Sequence, residues 1–219
     1  MQPRSTRTGR LTFAIVVIAA GTVLAGCQRS EYARTDTTAS GEVARRDSMA
    51  DTSRAAAATP TTNATTDGWT DAQILAYAGA ANNAEIAQGR LAEKKATNPA
   101  VKSFARQMVT DHEAMMREGK SFASSNNITP DTTRSDVTGL TKDANDALTD
   151  LTNKAAGKDW DDDYMDKQID EHKAVLDKLQ DFEKTTTNTK LKDMLNKAVG
   201  KVQSHLTKAQ DIKDNKLKM

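Results

Sequence analysis

The sequence predicts an all-α protein, a four-helix bundle with a short extra helix in the crossover, and three observations carry that expectation. Apolar residues recur at three- and four-residue spacing over four long stretches between Asp71 and Ile212, the period of amphipathic helices. No stretch alternates apolar and polar residues as a half-buried strand does. The breaks between stretches form two tight turns and one longer connection, the layout of two helical hairpins joined by a crossover.

The chain has 219 residues, of which 37% are hydrophobic and 4% aromatic. That is thin for a core spanning the whole length, so part of the chain is expected to lie outside it. The first 26 residues supply one such part. Arg4, Arg7 and Arg10 precede an apolar run, Leu11 to Ala20, too short for a membrane span. Small residues follow, so residues 1–26 read as a signal peptide. Leu24-Ala25-Gly26-Cys27 resembles the lipobox of bacterial lipoproteins, in which the cysteine is lipidated and becomes the mature N-terminus. Cys27 is the only cysteine, which excludes an intramolecular disulfide and any CxxC metal or redox motif. The resemblance implies a membrane partner, reached through an N-terminal lipid anchor. Gln28 rather than Asp follows the cysteine, which points to the outer membrane, facing the periplasm.

Loss of residues 1–26 removes three arginines and no acid, leaving 28 basic and 30 acidic residues. A mildly acidic chain has no electrostatic footing for nucleic acid. Residues 27–68 are expected to be the lipidated cysteine and a disordered tether. They are rich in Thr, Ala, Ser, Arg and Asp, and bury too little to offset their ordering entropy. A flexible segment of that length spans roughly 35 Å.

The bundle is expected over residues 69–213. Thr70-Asp71-Ala72-Gln73 reads as a capping box, followed by Ile74, Ala78, Ala81, Glu85 and Ala92 at helical spacing. Asn98-Pro99 ends the first helix and starts the second, whose face carries Val101, Phe104, Ala105, Met108, Val109, Met115 and Met116. Asp136 to Ala156 is a weaker, short helix that Gly157 is expected to end. Asp161, Asp162 and Asp163 read as capping residues at the next start. The helix from about Asp161 to Lys184 buries Met165, Ile169, Val175, Leu176, Leu179 and Phe182. Thr185 to Asn188 breaks it, and the last helix carries Leu191, Leu195, Ala198, Val202, Leu206, Ala209 and Ile212. Residues 214–219 form a basic tail.

Three histidines interrupt these stripes, one on each of three long helices: His112, His172 and His205. The fourth long helix has Glu85 inside its apolar arc. Counted from the hairpin turns, Glu85 and His112 differ in height by under a turn, and His172 and His205 by about one turn. One ligand-type residue per helix at mid-height predicts convergence at one point in the core, where bundles build metal sites. Three imidazoles and a carboxylate suit a transition metal ion: zinc, iron, manganese or copper. Gln88 and Gln168 are placed to act as outer hydrogen-bond partners. Asp111 and Glu171 point about 100° away from their neighbouring histidines, toward the stripe edge or surface.

The competing reading is a polar network that fixes helix packing. The bundle would then be a non-catalytic structural or stress-related interaction module with an envelope protein partner. A ferritin-type di-iron site needs Glu-x-x-His. Here Val109, Ile169 and Val202 stand three residues before the histidines. Cys-x-x-Cys-His, Gly-x-Ser-x-Gly and glycine-rich phosphate loops are all absent, which argues against c-type haem, a hydrolase elbow and nucleotide chemistry.

Several runs carry a resemblance: Glu85 with Leu91-Ala92, then Asn98-Pro99-x-Val101-Lys102-x-Phe104-Ala105-x-x-Met108-Val109-x-Asp111-His112. Trp160-Asp161-x-x-Tyr164, Glu171-His172 and His205-Leu206 follow. Together they resemble a bacterial family of unknown function, domain-of-unknown-function family 4142, whose members are often labelled outer membrane proteins. The resemblance covers about Asp71 to Ile212. It implies a ferritin-like bundle and an envelope location, and it implies no activity. Trp160 stands where the family usually has Phe.

Overall fold

The computed structural model describes residues 68–217. The signal segment, Cys27, nearly all of the expected tether and the last two residues lie outside them. Within them the chain is all-α, with five helices and no β-strand. They are α1 (Asp71–Lys95), α2 (Pro99–Ser125), α3 (Ser135–Asn153), α4 (Lys158–Thr185) and α5 (Thr189–Asn215). None of these helices is long and apolar enough to cross a membrane.

Local chemistry sets most of the boundaries. Thr70 and Gln73 form the reciprocal capping box, each backbone N–H donating to the other's side chain at 3.2 Å. Asn98 Oδ1 accepts from Ala100 N–H at 2.8 Å, with Pro99 in the first turn of α2. Asn188 caps α5 through Leu191 N–H at 3.2 Å. Its amide donates to Asp71 at 2.6 Å, tying the α4–α5 turn to the start of α1.

Two boundaries differ from the sequence expectation. The crossover helix α3, the shortest of the five at 19 residues, ends at Asn153 rather than at Ala156 and packs along α1. Its signal is weak because only Val137, Ala147 and Leu151 are buried on it. Gly157 does not end α3, which stops at Asn153; it precedes α4 instead, at φ 149°, a conformation that only glycine adopts readily. Asp161 was expected to cap its own helix. It is buried and reaches across to the start of α2. There it accepts from Thr97 N–H at 3.0 Å, Thr97 Oγ1 at 2.6 Å and Asn98 N–H at 2.8 Å. A carboxylate at a helix N-terminus satisfies orphan donors and the dipole together, so Asp161 locks the two hairpins to each other.

The core falls into two apolar clusters. One gathers Trp69, Ile74, Tyr77, Leu179, Phe182 and Leu191, among others. The other gathers Val101, Phe104, Met108, Trp160, Tyr164 and Ile212, among others. Buried polar residues separate the segments belonging to each on three long helices: Glu85 and Gln88 on α1, His112 on α2, Gln168 and His172 on α4; on α5 His205 lies beside the boundary, which falls between Leu206 and Ala209. Helices α1 and α2 approach closely at this level. A Cβ on Gly89 would sit 2.9 Å from Val109 Cγ2 and 3.2 Å from the Ala105 carbonyl oxygen.

Trp160 anchors the second cluster. It is fully buried, stacks on Tyr164 at 5.4 Å and donates its indole N–H to the Leu151 carbonyl at 2.8 Å. Trp160→Ala is expected to destabilise the bundle by about 3–5 kcal/mol, the range for deleting a large buried aromatic. Urea denaturation checks this, and a loss under 1 kcal/mol would contradict the packing described.

Candidate metal centre

The four long helices carry their polar residues at matching heights, so the bundle brings the three histidines together. One ring nitrogen from each lies within 4.8 Å of the others. The ring centroids are 5.7 Å apart for His112 and His172, 5.2 Å for His112 and His205, and 5.5 Å for His172 and His205. Three imidazoles bound tetrahedrally at about 2.1 Å would place their centroids about 5 Å apart.

Each ring has one nitrogen engaged from outside the cluster. His112 Nδ1 faces Asn82 Oδ1 at 2.9 Å. His172 Nδ1 faces the Gln168 carbonyl oxygen at 2.8 Å, and His205 Nε2 faces Asp111 Oδ2 at 2.9 Å. All three partners are acceptors, so each facing nitrogen carries the proton and donates. The tautomers follow: His112 Nε2, His172 Nε2 and His205 Nδ1 present lone pairs. Those same three atoms are buried with no hydrogen-bond partner among the described residues.

Burial also keeps the rings neutral. It pushes His112 well below its ordinary value, helped by the neighbouring histidines. Burial likewise lowers His172 to about 4. Burial lowers His205 to about 4 against the opposing hydrogen bond to Asp111. Burial works against ionisation of Asp111, yet hydrogen bonds from His205 and Gln107 and the Lys201 charge hold its carboxyl below the usual range. Near neutral pH the cluster is therefore three uncharged imidazoles with free lone pairs, the form that binds metals.

Glu85 is buried in the same layer but does not join the three nitrogens. Its Oε1 lies 3.4 Å from His172 Nδ1, the protonated side of the ring, and its Oε2 accepts from Gln168 Nε2 at 2.8 Å. Gln168 reaches His172 only through its backbone carbonyl. Gln88 Nε2 donates to both oxygens of Glu171, at 3.0 and 2.8 Å, and touches no histidine in the described contacts. Glu171 is therefore drawn into the layer rather than pointing to the surface. Burial raises Glu85 to about 7. Burial, with the Glu85 charge, raises Glu171 to about 7.

Two residues escaped the sequence reading. Asn82 lies three residues before Glu85, so helical spacing was available to find it. Asp111 was assigned to the stripe edge from its angle to His112. It is half-buried and reaches across to α5, which depends on which helix packs beside it.

A family model described as a domain of unknown function, DUF4142, matches residues 52–212. The chain belongs to this DUF4142 family. No curated protein and no solved structure matches it. The function of this DUF4142 bundle must therefore be read from its own buried histidine triad.

Proposed function

We propose that the bundle binds one divalent first-row transition metal ion through His112, His172 and His205, in a lipoprotein held at the cell envelope through Cys27. The observation that carries the metal reading is the trio of buried, unpartnered lone pairs. A hydrogen-bonded network that only fixed helix packing would pair both nitrogens of each ring, because an unsatisfied buried acceptor costs about 1–3 kcal/mol. The three rings each offer one nitrogen within 4.8 Å of the others, close enough for one cation to engage all three. Asn82, the Gln168 carbonyl and Asp111 orient the rings, the usual outer support of metal-bound histidine. An all-imidazole set favours zinc or copper over manganese. Glu85 lies against His172, with Glu171 linked to the same layer through Gln88, and both supply compensating negative charge when a cation enters and their protons leave.

Competition titration against a chromophoric zinc chelator tests this reading. One site per chain is expected, weakened at least 100-fold in His112→Ala and in His205→Ala. Asp111→Ala, which keeps all three rings but removes the acceptor that fixes the His205 tautomer, is expected to weaken it by about 10–100-fold. Equal affinity in all variants and wild type would refute the centre. The envelope reading rests on Leu24-Ala25-Gly26-Cys27 and Gln28. Palmitate labelling in cells is expected for the wild type and lost in Cys27→Ser; labelling of neither would refute the anchor.

A further inference from the structure

A cavity of about 910 Å³ lies beside the histidine layer, lined by residues of all five helices. Its wall is predominantly apolar. Helix α1 contributes Ala80, Ala81, Ala84 and Ala87, whose methyl groups leave space that larger side chains would fill. Met115, Met116 and Met194 line it as well, and methionine adapts its shape to what it contacts. Ligand pockets for small organic molecules run to roughly 300–1,000 Å³, with apolar walls and few polar groups.

Polar residues also stand in this wall, Asn82, Glu85 and Asp111 near the histidine layer among them. His112 and His172 line the cavity. They are 4% and 2% exposed, and each has its Nε2 without a partner. His205 does not line it. The triad therefore borders the chamber through His112 and His172 and not through His205. A three-nitrogen site leaves a coordination position for a further ligand.

We propose that the cavity binds an apolar small molecule whose single nitrogen, oxygen or sulfur donor takes the open coordination position of the metal, a proposal that rests on the metal reading above. The lining includes the charged residues Glu118, Lys120, Lys197 and Lys201, all of them exposed, while over the predominantly apolar remainder an apolar body gains from leaving water. The shape asks for one ligating group at one end and hydrocarbon or aromatic surface over the rest.

The test uses the full chain carrying Cys27→Ser, so that no acyl chain competes for the cavity. Cobalt uptake is measured first, by its visible absorption, and absence of uptake overturns the metal reading. With cobalt bound, 4-phenylimidazole is titrated against imidazole. The phenyl compound is expected to change the cobalt spectrum and to bind at least tenfold tighter than imidazole. Ala80→Phe and Ala198→Phe fill the cavity from α1 and from α5 without touching a histidine. Each is expected to retain cobalt and to lose at least tenfold in 4-phenylimidazole affinity; either variant that folds serves. Cobalt uptake with no spectral change, or with equal affinity for both probes, overturns the pocket proposal alone. So does 4-phenylimidazole affinity unchanged in a filled variant that holds cobalt.

Discussion

Saturation with zinc is expected to raise the unfolding temperature of the bundle by about 10 °C. A ligand that binds only the native state stabilises it by about 4 kcal/mol when present at a thousand times its Kd. For a domain of this size each kcal/mol is worth roughly 2–4 °C. The gain is expected because the unfolded chain offers no preassembled triad: the three histidines are on separate helices, 60 and 33 residues apart in sequence. Adding a chelator should return the unfolding temperature to its starting value. His112→Ala should remove the zinc response, because the two remaining rings bind far more weakly. A variant that loses stability yet keeps the full zinc response would contradict a role for His112 as a ligand. Differential scanning calorimetry, with and without zinc, reads both effects.

The metal-free protein is expected to lose on the order of 1–2 kcal/mol between pH 6.5 and pH 5. His172 and His205 are held at about 4 and His112 well below its ordinary value. In the unfolded chain all three titrate near 6.5. The unfolded chain therefore takes up protons that the native state refuses. The histidine contribution is complete above about pH 6.5 and is lost as pH falls through the depressed values. Glu85 and Glu171 act in the opposite sense. Raised to about 7, they keep protons that the unfolded chain releases above about pH 4.5. Their contribution is present at low pH and lost as pH rises toward 7. Three histidines oppose two acids, so a net difference of about one proton remains near pH 5.5, or about 1.4 kcal/mol per pH unit. Urea denaturation across this range checks the sign. In Glu85→Gln with Glu171→Gln the opposing pair is gone, and the slope should steepen. Stability that rose on acidification of the wild type would contradict neutral native histidines.

The meeting of His112, His172 and His205 was legible in the sequence for a physical reason. Helical periodicity fixes which face a residue occupies, and distance from a tight turn fixes its height. A histidine inside an apolar stripe on each of three antiparallel helices therefore specifies a common level in the core. The two faces of each ring were not legible. Glu85 shares the level of the histidines, but only the packed helices show that it approaches the protonated side of His172. Asp111 could be assigned an angle on α2, yet its bond to His205 requires knowing that α5 lies beside that edge. Residues 135–157 were the hardest to read. Helix α3 buries only a narrow stripe, and a glycine such as Gly157 serves equally to end one helix or to begin the next. Asp161 looked like a cap for its own helix because sequence neighbours are visible and the start of α2 is not.

The most direct test of the metal centre is elemental analysis of the chain carrying Cys27→Ser, produced without a histidine tag in metal-supplemented medium. The expected result is close to one zinc or copper ion per chain in that background, and none after adding His112→Ala or His205→Ala. Metal-free protein that also fails to take up added zinc or copper, or equal metal content in all three, would contradict the centre.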